Sequence, residues 1–114
     1  MTTTAYEYAM PDIAAGSKRL VSWDCTRDLE DDELLTGTPT VTEQTTTVLT
    51  LTNKAINSAA VEIKGETAAI GKAVQFLLDA SSAVVGTTYR VLVLVDTDAN
   101  PSQRLAYLLR FRCI

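Results

Sequence analysis

Apolar and polar residues alternate most clearly in the last third of the chain. Tyr89, Val91, Val93 and Val95 interleave with Arg90, Leu92 and Leu94. After a polar stretch, Asp96-Thr97-Asp98-Ala99-Asn100-Pro101-Ser102, the residues Leu105, Tyr107, Leu109, Phe111 and Cys113 interleave with Ala106, Leu108, Arg110 and Arg112. A period of two is that of a strand with one buried face. Asp, Asn and Pro supply turn chemistry between the two runs, so the pattern predicts a β-hairpin. One face of that hairpin is apolar and aromatic. The other carries Arg90, Leu92, Leu94, Leu108, Arg110 and Arg112.

The same reading extends upstream. Arg19–Cys25 alternates, with Val21, Trp23 and Cys25 on one side. Trp23 is the only tryptophan, and its size marks it for the centre of the core. Thr26–Glu33 is an acidic loop. Its carboxylates suit a hard cation, but the glycine that an EF-hand needs at its sixth position is missing, which favours a solvated loop. Thr38–Thr42 is a short strand, and Pro39 either places it at a sheet edge or makes it begin near Thr40. The β-branched run Thr45–Thr52 predicts another strand, closed by a turn at Asn53-Lys54. Ala55–Ala60 shows no preference. Val61–Lys64 alternates and stops at Gly65.

Glu66–Ala80 admits two readings. Ala, Glu, Lys, Gln and Leu favour a helix, whereas Gly71 in mid-segment costs a helix about 1 kcal/mol. Strand signals on both sides favour a strand over Ala73–Leu78, with Val74, Phe76 and Leu78 on one face and 65–71 as a loop. The sum is about seven short strands with turn signals between them, the pattern of an all-β antiparallel β-sandwich. It occupies residues 18–114. Residues 1–17 read as an N-terminal arm. Within the arm, Tyr6, Tyr8 and Met10 share one side if the chain is extended. Such a segment is either a mobile tail or a strand that adds to a neighbouring subunit.

Composition narrows the function classes. At 114 residues and 46% hydrophobic the chain is one globular domain rather than a disordered one. The start of the chain shows neither the basic nor the apolar region of a signal peptide, and no apolar run is long enough for a membrane helix. Folding in a cytosol, with no membrane partner, is the expectation. A net charge of −4 makes nucleic acid an unlikely partner. Histidine is absent, which removes the commonest general base and neutral metal ligand. Cys25 and Cys113 show no metal-binding or redox spacing, so they are expected as buried thiols, with a disulfide as the minor alternative.

A search for chemistry finds little. Gly65, Gly71 and Lys72 have the wrong spacing for a phosphate loop, and Ala73 stands where that loop needs a hydroxyl. Asp96 and Asp98 form a carboxylate pair, but at a turn such residues more commonly bond the local backbone. No cofactor, metal or enzyme activity is expected. The Leu/Arg face of the hairpin remains. Arginine alone would suit solvent or phosphate, but leucine and arginine together are the composition of a protein interface. The interface candidates are therefore Tyr6, Tyr8, Met10, Arg90, Leu92, Leu94, Leu108, Arg110 and Arg112.

The order of motifs resembles a known group. Ser22-Trp23-Asp24 is followed by an acidic segment, Leu34 and a Thr-rich strand at Thr38–Val41. Ala73-Val74-Gln75-Phe76-Leu77-Leu78 then precedes Gly86-Thr87-Thr88-Tyr89-Arg90-Val91. Val95-Asp96-Thr97 and a basic, apolar final strand complete the series. This is similar to the small virion proteins of tailed bacteriophages described as fiber–tail adaptors. The likeness covers residues 18–114 and is best over Gly86–Thr97. The chain departs from the pattern in a longer middle, Asn53–Lys72, and in the order Trp23-Asp24. The resemblance implies an immunoglobulin-like β-sandwich without enzyme activity. It also implies a virion location after assembly in the host cytoplasm, several copies forming a homo-oligomer, and other virion proteins of neck, tail, fiber or capsid as partners. The alternatives are a capsid decoration (cement) protein and a carbohydrate- or surface-binding immunoglobulin-like module.

Overall fold

A computed structural model describes residues 7–44 and 46–114. The chain forms an all-β sandwich. One sheet contains β1 (Glu7–Ala9), β9 (Arg104–Arg112), β8 (Thr88–Thr97) and β3 (Leu35–Glu43), in that spatial order. The other contains β2 (Lys18–Asp24), β7 (Ala73–Asp79) and β4 (Thr50–Ile56). A small hairpin of β5 (Val61–Ile63) and β6 (Glu66–Ala68) is inserted between β4 and β7. All pairings are antiparallel except that of β1 with β9. The chain changes sheet between β1 and β2, between β2 and β3, between β3 and β4, and between β7 and β8, and it closes on the β8–β9 hairpin. This connectivity is compatible with an immunoglobulin-like arrangement.

The inward residues of both sheets form one core. Val21, Val74, Phe76 and Leu78 come from the three-stranded sheet, and Val41, Tyr89, Val91, Val93, Leu109 and Phe111 from the other. Tyr89 opens β8 from the corner after β7, and its hydroxyl accepts the Val84 amide at 2.9 Å. That bond ties the corner to the core and satisfies a phenol that would otherwise be buried without a partner.

The hairpin predicted at the end of the chain is present in the expected register, with Tyr89 opposite Phe111 and Leu92 opposite Leu108. The segment that could have been helix or strand is a strand, Ala73–Asp79. Thr38–Thr42 falls within β3, an edge strand, where Pro39 sits in a register shift between Thr36 and Thr40.

Four expectations fail for physical reasons. Trp23 is not the centre of the core. It is half-buried at the margin, and Phe76, Tyr89 and Phe111 occupy the interior. The strand expected over Thr45–Thr52 begins instead at Thr50 and runs on to Ile56. The residues before it turn around Glu43, whose carboxylate accepts the amides of Thr46, Val48 and Leu49 and so withdraws them from any ladder. The turn expected at Asn53-Lys54 is a bulge inside β4, with Asn53 in the left-handed region at φ 53°. The loop expected at 65–71 contains β6. Lys64 and Gly65, at φ 51° and 80°, make the tight two-residue turn that returns the chain from β5.

The arm does not stand apart over its described residues. Glu7–Ala9 adds to this chain's own β9, and Ile13 bridges to Cys113 and lies 3% exposed in the core. Tyr6 lies outside the described residues.

Candidate interaction surface

The outward residues of the four-stranded sheet follow from the strand period. On β8 they are Arg90, Leu92, Leu94 and Asp96, and on β9 they are Arg104, Ala106, Leu108, Arg110 and Arg112. Register places them in rows across the sheet. Arg90 stands opposite Arg110, Leu92 opposite Leu108, Leu94 opposite Ala106, and Asp96 opposite Arg104. On β3, Thr42 continues the Leu92 row and Thr40 the Leu94 row. On the far side, β1 contributes Glu7 beside Leu108. Six of the sequence-predicted residues, Arg90, Leu92, Leu94, Leu108, Arg110 and Arg112, thus share one surface. The three leucines are half-buried, and Thr40, Thr42, Ala106, Arg110 and Arg112 are exposed.

Tyr8 and Met10 are placed elsewhere. Met10 packs against the core cluster, and Tyr8, still 36% exposed, lies against Trp23 and Tyr107, with ring centroids 4.8 and 6.0 Å away. Trp23 and Tyr107 are themselves 5.4 Å apart, so the three rings pack on one another. The indole N–H of Trp23 is buried there without a hydrogen-bond acceptor.

Sequence reasoning missed Glu7. Its carboxylate meets the Arg90 guanidinium at 2.5 Å and that of Arg110 at 3.4 Å. The bond to Arg90 holds the Glu7 carboxyl below its ordinary value, and Arg110 adds to the effect. Two like charges facing each other across a strand pair repel. The carboxylate offsets that repulsion and fixes both guanidinium groups over the sheet. A Glu in a terminal segment gives no local sign of such a role. Only the parallel pairing of β1 with β9 brings it there. At the opposite end of the face Arg104 pairs with Asp96 at 2.7 Å, which lowers the Asp96 carboxyl.

Beyond that end, the β2–β3 and β8–β9 loops line a polar groove bearing Asp28, Glu30, Asp32, Glu33 and Asp98. The acidic stretch read in the sequence is partly structural. Glu33 accepts the Glu30 amide at 3.0 Å, and Asp98 caps the Leu34 amide at 2.8 Å. Asp28 accepts the Tyr107 hydroxyl at 2.6 Å. Among the described residues no group of three or more His, Cys, Asp or Glu is placed to hold a metal ion. Asp96 and Asp98, considered as a catalytic pair, are each engaged with a structural partner, Arg104 and Leu34 respectively.

The two cysteines are free and buried. Burial pushes the Cys25 thiol up to about 12. An aromatic thiol-exchange reagent at pH 8 is therefore expected to label the folded protein at least about a thousandfold more slowly than a free cysteine, and to label both positions at once on unfolding. Rapid labelling of one cysteine in the folded protein would contradict the burial.

No protein-family model, curated protein or solved structure matches this chain.

Proposed function

We propose that the chain is a non-enzymatic structural protein of a tailed-bacteriophage particle, an adaptor that joins neck, tail or head-surface components by protein–protein contacts. The observation that carries this reading is the outer face of the β1-β9-β8-β3 sheet. Leucine side chains lie in the middle of it, and arginines held by a carboxylate lie at its end. Apolar area flanked by oriented guanidinium groups is what interface centres are built from. The motif resemblance supports the same reading. In Gly86–Thr97, Tyr89, Val91, Val93, Val95 and Thr97 are buried, and Arg90, Leu92, Leu94 and Asp96 line the face. One stretch thus serves both fold and surface.

The rival of a carbohydrate-binding module calls for an aromatic platform open to a sugar ring. Tyr107 is buried, Trp23 is half-buried, and Tyr8, 36% exposed, is tilted 56° against Trp23, so the three rings do not lie together as one flat open platform.

The test is co-expression of the chain with the products of the genes adjacent to its own, followed by gradient sedimentation and electron microscopy. The wild-type chain is expected in assembled rings, tubes or particles, and Leu92→Glu is expected to leave it in the soluble fraction while still folded. A wild-type chain that joins none of these assemblies overturns the proposal.

A further inference from the structure

We propose that the free edge of β2 takes up an extended, acidic segment of another protein as an added strand, with one apolar side chain of that segment seated between the two sheets. This site lies apart from the leucine–arginine face, and its test does not depend on that face.

The two main sheets have four edge strands, β1, β3, β2 and β4. β1 is three residues long, and β3 and β4 are each interrupted by a register shift. Short and bulged edges resist a further strand. β2 instead pairs with β7 over seven residues without a shift. Just beyond its two ends, the Cys25 amide donates to the Lys72 carbonyl at 2.9 Å and the Ala80 amide to the Ser17 carbonyl at 2.8 Å. Both bonds continue the β2–β7 register, so Arg19, Val21 and Trp23 are the residues whose backbone faces β7. The N–H and C=O groups of Leu20 and Ser22 therefore point the other way, along the open edge. An extended backbone is what such an edge can bond.

A cleft of about 160 Å³ opens beside those groups, between β2, the arm at Met10–Ile13 and the turn of the β5–β6 hairpin. Met10, Ile13, Val21 and Phe111 line it on the core side. Residues opposite one another in a strand pair face the same way. The residue of an added strand that lies opposite Val21 thus sends its side chain into the cleft, which has room for one aliphatic group. Its two neighbours lie opposite Leu20 and Ser22 and point outward, where Leu20 stands 62% exposed.

Charge selects the occupant. The charged residues lining the cleft are Arg19, Lys64 and Asp12, and none of them has an ion-pair partner among the described residues. Two cations against one carboxylate favour an acidic segment. Arg19 lies two residues from Val21 on the same side of the strand, so a carboxylate two positions from the seated side chain meets it. A second copy of β2 would instead bring Lys18 and Arg19 to a rim that is already cationic, which disfavours edge-to-edge pairing of this chain with itself.

The experiment is an NMR titration of the isotope-labelled full chain with the blocked peptide Thr-Thr-Leu-Thr-Glu. In antiparallel register this peptide sets its Leu opposite Val21 and its Glu opposite Arg19. Saturable binding with a Kd below about 1 mM is expected, with the largest amide shifts at Leu20 and Ser22. N-methylation of the two threonines that flank the Leu removes the donors aimed at the edge and is expected to weaken binding at least tenfold. Replacing the peptide's Leu by Ser is expected to do the same. Arg19→Glu, at an exposed position, is expected to weaken binding about tenfold, and a peptide ending in Lys to recover most of that loss. Leu20→Pro removes one edge donor without touching the β7 ladder and is expected to fold but not to bind. The peptide and Arg19 arms read the same site without that variant. No saturation by about 1 mM overturns the inference, as does equal affinity of the N-methylated peptide or a shift pattern centred away from β2. A chain that dimerises through this edge, with Leu20 and Ser22 shifting on dilution, assigns the edge to a second copy and overturns it too. None of these outcomes bears on the particle test with Leu92→Glu.

Discussion

Phe76→Ala is expected to cost about 3–5 kcal/mol, enough to bring a domain of this size close to unfolding at ambient temperature. Phe76 is fully buried on the central strand of the three-stranded sheet, between β2 and β4. Its ring projects toward the opposite sheet, whose inward row is Tyr89, Val91, Val93 and Val95. Truncation there removes the transfer free energy of a benzyl group and leaves a cavity that two hydrogen-bonded sheets close only in part. The measurement is urea unfolding followed by tryptophan fluorescence, since Trp23 packs at the core margin. A lower midpoint at unchanged slope is the expected result. Leu20→Ala is the matched control. Leu20 is 62% exposed on the outer side of β2, and its loss is expected to stay within about 0.5 kcal/mol. Equal losses for the two variants would show that the core is not where the sandwich places it.

The same pair of residues shows what the sequence made legible. Phe76 reads as inward because Val74, Phe76 and Leu78 alternate with Gln75 and Leu77, and period two survives folding wherever one face is buried. The β8–β9 hairpin and its Leu/Arg face were readable for the same reason. Trp23 departs from the expected place because residue size does not set depth. A large indole is seldom fully enclosed, and here the two-residue offset from Val21 toward the end of β2 carries it to the rim, beside Tyr8 and Tyr107.

The misplaced start of β4 has a different cause. Thr46, Thr47 and Val48 have the propensity of a strand, but propensity is weak against a carboxylate that takes three amides at once. Glu43 lies at the end of β3, and the run Glu43-Gln44 gave no hint that the chain would fold back onto it. Burial holds the Glu43 carboxyl up, yet the amides of Leu49, Thr46 and Val48 outweigh that and leave it lower than an ordinary glutamate. The surface charge pattern was half legible in the same way. The arginines follow from alternation, whereas the Glu7 that orients them arrives by a pairing between the two ends of the chain.

Asn57→Ala is the second large expected loss, about 3–5 kcal/mol, from a residue whose neighbourhood gave no secondary-structure preference at all. Asn57 follows β4 and is 3% exposed. Its amide nitrogen donates to the Ala59 and Ala69 carbonyls at 3.0 and 2.9 Å. Its carbonyl oxygen accepts from Gly71, Lys72 and Ala73 at 3.0, 3.1 and 2.9 Å. One side chain thereby closes the whole excursion through β5 and β6 and sets the first residue of β7. Of the three donors, Gly71 and Lys72 keep backbone acceptors in Asn57 and Ala69. Ala73 has only the Asn57 side chain among the bonds found to its amide, and it is fully buried. The alanine variant therefore leaves one buried N–H without a partner and weakens two more. An unpaired buried donor costs about 1–3 kcal/mol by itself, and the lost bonds and the small cavity supply the remainder. Asn57→Asp separates the two halves of the clasp, because it can still accept three amides but turns a charged oxygen toward the Ala59 and Ala69 carbonyls. Its loss is expected to fall short of that of alanine. Ser58→Ala, at an exposed neighbour, is expected to change little. Hydrogen exchange at Gly71, Lys72 and Ala73 locates the effect, since protection there should fall before that of β8 and β9. A loss below about 1 kcal/mol for Asn57→Ala would mean that residues 57–73 are only loosely coupled to the sandwich, and that the clasp does not set the start of β7.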